Sequence, residues 1–383
     1  MKLAPSTEQQ ELRQSVRRFL ADTSPLPRVR ELMEAADGTD EKVWRMAGSQ
    51  LGLQGIAIAE EHGGAGYTFA EQAIVLEELG AALYPGPYLA SAVLAATALR
   101  VSSDEQAKAA FLPAIASGET IAALAFTEDD GSWEPAAIRL AATAGCGAED
   151  GTAWVLDGHK SFVLDGNAAD LLLVVARTGA AGTGQADGLA LFAVQADAPG
   201  LTRTALPTLD QTRKLARIEF SATPARLVGE PGEGAAIMDR TLDIAAIALA
   251  AEQLGGAQRA LDMAVEYAKI RHQFGRPIGS FQAIKHRCAD LLLEVESLRA
   301  AVAYAAAAVA EDSPEVPVLA SLVKALGSEV YFHVAAENIQ IHGGIGFTWE
   351  HDAHLFFKRA KASELFLGDV AYHRERLATR IGM

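Results

Sequence analysis

At 383 residues the chain is long enough for two or three layers around a large core, and half of it is apolar with only 7% aromatic residues, a balance that favours closely packed helices. Lys and Arg total 33 against 49 Asp and Glu, a formal charge of −16, which excludes a general nucleic-acid or anionic-membrane surface. Two cysteines, Cys146 and Cys288, predict a reduced, cytoplasmic protein without disulfides. Residues 1–120 read as helices. Glu8 to Ala21 repeats Leu12, Val16, Phe19 and Leu20 at helical spacing, and Glu41 to Leu51 and Ala70 to Leu83 do likewise, with Pro85 and Pro87 closing the latter. Between them, Glu60 to Tyr67 is a glycine-rich loop, either a helix connection or part of a cleft lining.

From about Ile121 the texture changes. Leu171 to Ala176 and Leu189 to Val194 are short apolar runs between Gly and Asp turns, the pattern of a small β-domain over 121–230, with Gly179 to Gly188 as a loop. Helix returns over 231–383, in runs from Ala235 to about Ile270, Phe281 to Glu311, Val316 to Ile341 and His351 to the end, with Pro314 and Pro317 separating the middle pair. Charges from Lys2 to Arg18 argue against a secretory leader. The apolar stretches Ile244 to Ala251 and Ala300 to Ala310 are too short to span a bilayer, so no integral membrane segment is expected.

The densest motif is Arg271-His272-Gln273-Phe274-Gly275-Arg276-Pro277-Ile278-Gly279-Ser280-Phe281-Gln282, continuing to Arg287. Gly275, Pro277 and Gly279 interrupt any helix, so a tight basic loop separates two helices. An arginine and backbone donors near a helix start suit a pyrophosphate. No G-x-G-x-x-G follows a strand, and no Cys/His cluster has zinc spacing; His351 and His354 near Asp352 do not suggest a metal, and none is predicted.

That run resembles the flavin-dinucleotide loop of the acyl-CoA dehydrogenase family, and three further matches follow in order. Ala125 to Ser132 resembles the family's Thr-Glu strand end, Leu156 to Gly166 its next β-hairpin, and Gln340-Ile341-His342-Gly343-Gly344-Ile345-Gly346-Phe347 its C-terminal glycine motif. The resemblance covers nearly the whole chain. It implies an α+β fold with an N-terminal helical domain, a β-barrel-like middle and a C-terminal four-helix bundle. It also implies FAD-dependent α,β-dehydrogenation of an acyl-CoA thioester, with hydride passing to the flavin and a proton to a carboxylate. An electron-transfer flavoprotein is the partner that the family leads one to expect.

Departures from the family pattern concentrate in one half of its site. The usual base aligns with Leu367 in Phe366-Leu367-Gly368-Asp369, and the alternative base position on the first long C-terminal helix aligns with Ala245. Neither side chain accepts a proton. The flavin-ring position holds Leu164, and Asp369 and Ala371 replace a Thr and a Gln. Glu364 shares a helical face with Leu367 if the helix is continuous, whereas Asp243 is turned about 200° from Ala245. These two carboxylates are the substitute bases of a homomeric enzyme. The groups that reach a neighbour's FAD in the family are retained: Arg271, Gln273, Phe274, Phe281, Gln282, Gln340, Ile341, His342, Gly343 and Gly344. The chain is thus similar to the base-lacking subunit of heteromeric (α2β2) bacterial steroid side-chain acyl-CoA dehydrogenases, paired with a homologous catalytic subunit. A scaffold of the same fold without chemistry would have no use for the retained loop.

Overall fold

The computed structural model describes residues 5–145, 153–179 and 188–383. Cys146 and most of the Gly179 to Gly188 loop lie outside the described residues. In chain order the helices begin with α1 (Thr7–Thr23), α2 (Leu26–Met33), α3 (Glu41–Leu51) and α4 (Phe69–Ala81). A π-helical turn at Leu89–Ala95 leads into α5 (Ala96–Val101), followed by α6 (Glu105–Ser117). The strands are β1 (Ala122–Ala125), β2 (Ala141–Ala144), β3 (Ala153–Leu164), β4 (Leu171–Thr178), β5 (Leu189–Gln195), β6 (Leu201–Leu206) and β7 (Leu215–Val228). After α7 (Gly234–Ile270) comes a short hairpin, β8 (His272–Gln273) and β9 (Arg276–Pro277). The chain ends in α8 (Gln282–Ala310), α9 (Val316–His342), α10 (Ala353–Leu365) and α11 (Val370–Arg380).

The chain partitions into two compact units. One comprises the residues up to Glu31, Thr68–Tyr84 and Ala246–Met383; the other comprises Leu32–Tyr67 and Pro85–Ala245. In the first unit, helix starts are fixed by reciprocal capping boxes, Ser6 with Gln9 on α1 and Thr68 with Glu71 on α4. α4 and α7 cross with almost no space between backbones. A Cβ on Gly80 would lie 2.0 Å from the Glu252 carbonyl oxygen, and one on Gly255 would lie 1.7 Å from that of Glu77. Ion pairs hold the same region: Arg359 to Glu252 at 2.7 Å, both buried, and Arg13 and Arg17 to Glu78 at 3.0 and 2.8 Å.

α9 corrects the sequence reading of apolar runs. With the turn after it, Val316–Phe347 is long and apolar enough to cross a membrane by length and composition. It is nevertheless a core helix, packed against α8, α10 and α11 with Ser321, Lys324, Ser328 and Asn338 buried along it. The run from His351 to the end also differs from expectation, because it is two helices. α10 stops at Leu365, Leu367 and Gly368 take positive φ (63° and 100°), and Asp369 caps α11 by accepting the Tyr372 amide at 2.8 Å.

In the second unit the strands close on themselves. β4 pairs with β2, β2 with β3, β3 with β7, β7 with β5, and β5 again with β4. β1 extends one end of β4, and β6 lies along β7. Leu156, Val174, Phe192, Ile218 and their neighbours fill the interior. The segment Leu156 to Gly166 is not a hairpin in itself: it is the latter part of β3, paired with β2 and β7, and the turn that follows it. Its ladder shifts register between Lys160 and Val163, where Phe162 has φ 58°. The expected helical, barrel-like and helical parts are all present.

Candidate functional site

The basic loop of the first unit is built on a small apolar cluster. Ala264 and Ala268 of α7 meet Ile341 near the end of α9, and Ile278, Ile284 and Cys288 pack against them. The loop and the glycine motif therefore share one footing. From it the polar groups project outward. Arg271, Gln282 and Gln340 are exposed, and among the described residues their side chains make no hydrogen bond or ion pair. Phe274 stands 91% exposed at φ 53°, edge-on to Phe281, and the Arg276 guanidinium lies 4.1 Å above the Phe281 ring. Gln273 instead donates to the His272 carbonyl at 2.9 Å. No side chain caps α8, so its first amides stay open to solvent or an anion.

The two glycines differ in kind. Gly343 needs its lack of a side chain for its backbone, at φ 65°. Gly344 has neither a positive φ nor any atom within 4 Å of an added Cβ. Nothing inside the described chain calls for glycine there, which suits close approach by something outside it. Ile341 and His342 are different again, because both side chains are buried. The His342 ring stacks on Tyr267 with centroids 4.2 Å apart, contacts His351 at 4.3 Å, and donates from Nδ1 to the Asn338 carbonyl at 2.8 Å. Burial holds this imidazole below its ordinary pKa. These two residues thus support the motif from beneath and leave only their backbone beside it.

The loop at Leu367, which the sequence aligns with the family's usual base, is strapped in place. Lys324, fully buried on α9, donates to the Glu364 carbonyl at 3.1 Å, the Gly368 carbonyl at 2.8 Å and Ser328 Oγ at 3.0 Å. His373 Nε2 lies 2.9 Å from the Leu367 carbonyl, which can only accept, so Nε2 carries the proton. Burial, reinforced by the Lys324 charge, lowers the His373 pKa to about 3. Leu367 is only 4% exposed. Glu364 does not share a helical face with it, because α10 has already ended and Leu367 is left-handed. Glu364 is instead paired with Lys361 at 3.0 Å. On α7, Ala245 is fully buried and Asp243 is buried too.

In the second unit the Thr-Glu strand end is committed to internal bonds. Thr127 Oγ1 donates to the Ser161 carbonyl at 2.6 Å, and Ser161 N donates to the Thr127 carbonyl at 3.0 Å. Glu128 Oε1 accepts from the amides of Arg139 and Leu140, each at 2.9 Å, and from Lys160 Nζ at 2.9 Å. Burial alone would raise the Glu128 pKa, but Lys160 and the two amides outweigh it and the net shift is downward. Lys160 is fully buried, and desolvation lowers its pKa to about 8 despite Glu128. Asp129 gathers Ser161 Oγ, Arg217 and His159 at 2.5, 2.5 and 2.8 Å, a network the sequence reading did not anticipate because its members lie on separated segments. Leu164 is buried and has no polar side-chain group to offer. A cavity of about 690 Å³ in the first unit, lined by Arg17, Leu20, Ser24, Gln258, Arg259 and Asp262, includes none of the residues predicted for a site.

Family models for the N-terminal, middle and C-terminal domains of acyl-CoA dehydrogenases match residues 6–119, 123–222 and 232–382. Acyl-CoA dehydrogenase IpdE2 of Mycobacterium tuberculosis is 38% identical over 365 residues, covering 95% of this chain and 94% of that protein. Among solved structures, the ChsE4-ChsE5 complex from Mycobacterium tuberculosis contains a chain of 30% identity and TM-score 0.86, with 100% of this chain and 99% of that one covered. The steroid ACAD Tcur3481-Tcur3483 contains another, at 32% identity and TM-score 0.84, with 98% and 97% covered.

Proposed function

Because the chain belongs to the acyl-CoA dehydrogenase family, FAD-dependent oxidoreductases acting on acyl-CoA, we propose that it is the base-free subunit of a heteromeric member. It lends the ADP-binding surface to an FAD whose ring is seated in a homologous catalytic subunit. The observation that carries this reading is the contrast between two sets of residues. Arg271, Gln282 and Gln340 are exposed and unpartnered among the described residues, and Gly344 leaves room that no part of the described chain fills. Leu367 and Ala245, in contrast, offer no base, Leu164 offers the ring no hydrogen bond, and Asp369 is occupied as a helix cap.

The residues present fit the ADP portion of the cofactor and do not fit a complete flavin site. Arg271 supplies a charged fork to the pyrophosphate, Gln282 and Gln340 supply amides, and Gly343-Gly344 permits close backbone approach. Gln273, Phe274 and Phe281 shape the loop around them, and Ile341 and His342 support the glycines. Bound FAD supplies the hydride acceptor of the family reaction, and the proton acceptor comes from the catalytic subunit. Likeness to the steroid ACAD and to a two-protein complex supports a steroid CoA ester as substrate and a heteromeric assembly. The α2β2 stoichiometry, the side-chain position, the cytoplasmic location and an electron-transfer flavoprotein as oxidant belong to the same proposal.

Flavin content and native mass, measured for the chain alone and co-expressed with a candidate catalytic subunit, test the reading. The expected result is a colourless chain that becomes a yellow complex with one FAD per pair, and Arg271→Ala in that complex strips most of the flavin. One FAD per chain in a homo-oligomer that oxidises acyl-CoA would overturn it. So would an Arg271→Ala complex that retains its full flavin.

A further inference from the structure

The segment after Gly344 presents three apolar side chains to solvent, with Ile345 44%, Phe347 77% and Trp349 53% exposed. Isolated apolar residues at a surface are ordinary, but three at alternate positions of one short segment are not. The segment is also held rigidly at its base. Its two ends are pinned together where His342 meets His351, with ring centroids 4.3 Å apart, and Thr348 donates from both N and Oγ1 to the Ile345 carbonyl at 3.0 and 2.8 Å.

Trp349 is the best braced of the three. Its ring stacks on His354 at 4.8 Å with planes 25° apart. Lys358 Nζ lies 4.8 Å from the ring centroid and Arg30 Cζ 5.6 Å from it. Arg30 is itself fixed, donating to Asp352 Oδ1 at 2.7 Å and to the His351 carbonyl at 3.1 Å. Beneath the indole, His354 is buried, and its Nε2 has no partner among the described residues. A tryptophan more than half exposed, yet held by three neighbours, has already lost the side-chain freedom that docking would otherwise remove. Tryptophan in such a setting is the residue type most enriched among interface hot spots.

We propose that Ile345, Phe347 and Trp349 are a pre-formed anchor that inserts into an apolar recess of the sister subunit. The proposal rests on the heteromer reading above and names a second contact beyond the shared cofactor. The sister subunit is the occupant because the anchor follows Gly343-Gly344 without a break, and whatever presents its FAD to those glycines must lie against the next residues. Around the anchor, Arg30 and Lys358 are balanced by Asp352 and the exposed Glu350, so the match to the recess is one of apolar shape rather than of charge.

The test is the dissociation constant of the co-expressed complex, read by dilution in mass photometry, with flavin content measured in parallel. Trp349→Ala is expected to weaken association at least about tenfold, and Phe347→Ala by a similar factor. Lys358→Met, which removes only the cation, should weaken it by about threefold. The isolated Phe347→Ala chain should keep the wild-type thermal midpoint, since the side chain removed is 77% exposed. If Trp349→Ala misfolds through loss of the His354 stack, Phe347→Ala alone decides the matter. Unchanged dissociation in Phe347→Ala and in any folded Trp349→Ala, with Arg271→Ala still stripping FAD, would remove the anchor and leave the heteromer reading intact. A wild-type chain that forms no heteromer, or that is a complete flavoenzyme alone, would remove both.

Discussion

Single residues separate what the chain needs for itself from what it offers to others. Leu367 sits at φ 63°, a conformation that costs a non-glycine residue about 1–2 kcal/mol, yet it is held there and buried. The loop thus keeps an unusual shape although its side chain has no acid–base chemistry. Gly344 is the converse case, a glycine with no internal reason to be one. Gly344→Ala should leave stability within about 0.5 kcal/mol of wild type while the complex loses FAD several-fold, as flavin absorbance per complex would report. Equal flavin in that variant would place Gly344 outside the ligand surface. That a loop separates two helices here was legible in the sequence, because Gly275, Pro277 and Gly279 break any helix, whereas the roles proposed for Arg271, Gln282 and the glycines come from the family resemblance. The burial of Ile341 and His342 was not legible, since a motif read in one dimension does not say which of its side chains face inward.

The helices that repeat at 3.6 residues were readable almost to their ends, as α3 shows at Glu41–Leu51. The break between α10 and α11 was missed, although it carries a readable signature: glycine just past a helix, then an aspartate able to cap the next. Missing it made Glu364 look like a neighbour of Leu367. What no pattern reveals is the strap that fixes this joint, because Lys324 lies about forty residues away on α9. Lys324→Met would leave the buried Gly368 carbonyl and the half-buried Glu364 carbonyl without that donor. The expected loss is about 2–4 kcal/mol of stability, by denaturant midpoint, with faster amide exchange confined first to Phe366 to Tyr372. A variant of wild-type stability would mean that the joint is held by its own caps.

For the molecule as a whole, the buried imidazoles set how stability responds to acid. A histidine in the unfolded chain titrates near 6.5, whereas burial lowers the pKa of His373 to about 3 and shifts His342 and His354 in the same direction. Below about pH 6.5 the unfolded state therefore binds protons that the folded state refuses, and stability falls as pH drops toward 3. His373 alone contributes up to about 1.4 kcal/mol per pH unit across that window, and nothing above it. Thermal unfolding between pH 7 and pH 4.5 should show this slope, and His373→Gln should flatten much of it, with His342, His354 and, nearer pH 4.5, the carboxylates of Glu71 and Glu128 contributing the rest. An unchanged slope in His373→Gln would mean that other groups dominate acid sensitivity. The β-rich middle and the helical parts were legible at this scale from short apolar runs between Gly and Asp turns and from helical periodicity, while the barrel-like form was what the family resemblance implied. The closure of β5 onto both β4 and β7 was not, since it depends on pairings between distant strands.

The strap at Leu367 also bears on descent. If Leu367 stands where the base once stood, as proposed, selection no longer acts on the joint through proton abstraction. If holding that base was its whole purpose, Lys324 and His373 are constrained by stability alone, and their codons should accumulate substitutions at the pace of ordinary core positions. If both stay invariant among orthologues that all lack the acid, the left-handed loop has acquired a second employment. The substitution tempo at those two codons would then date the change of role.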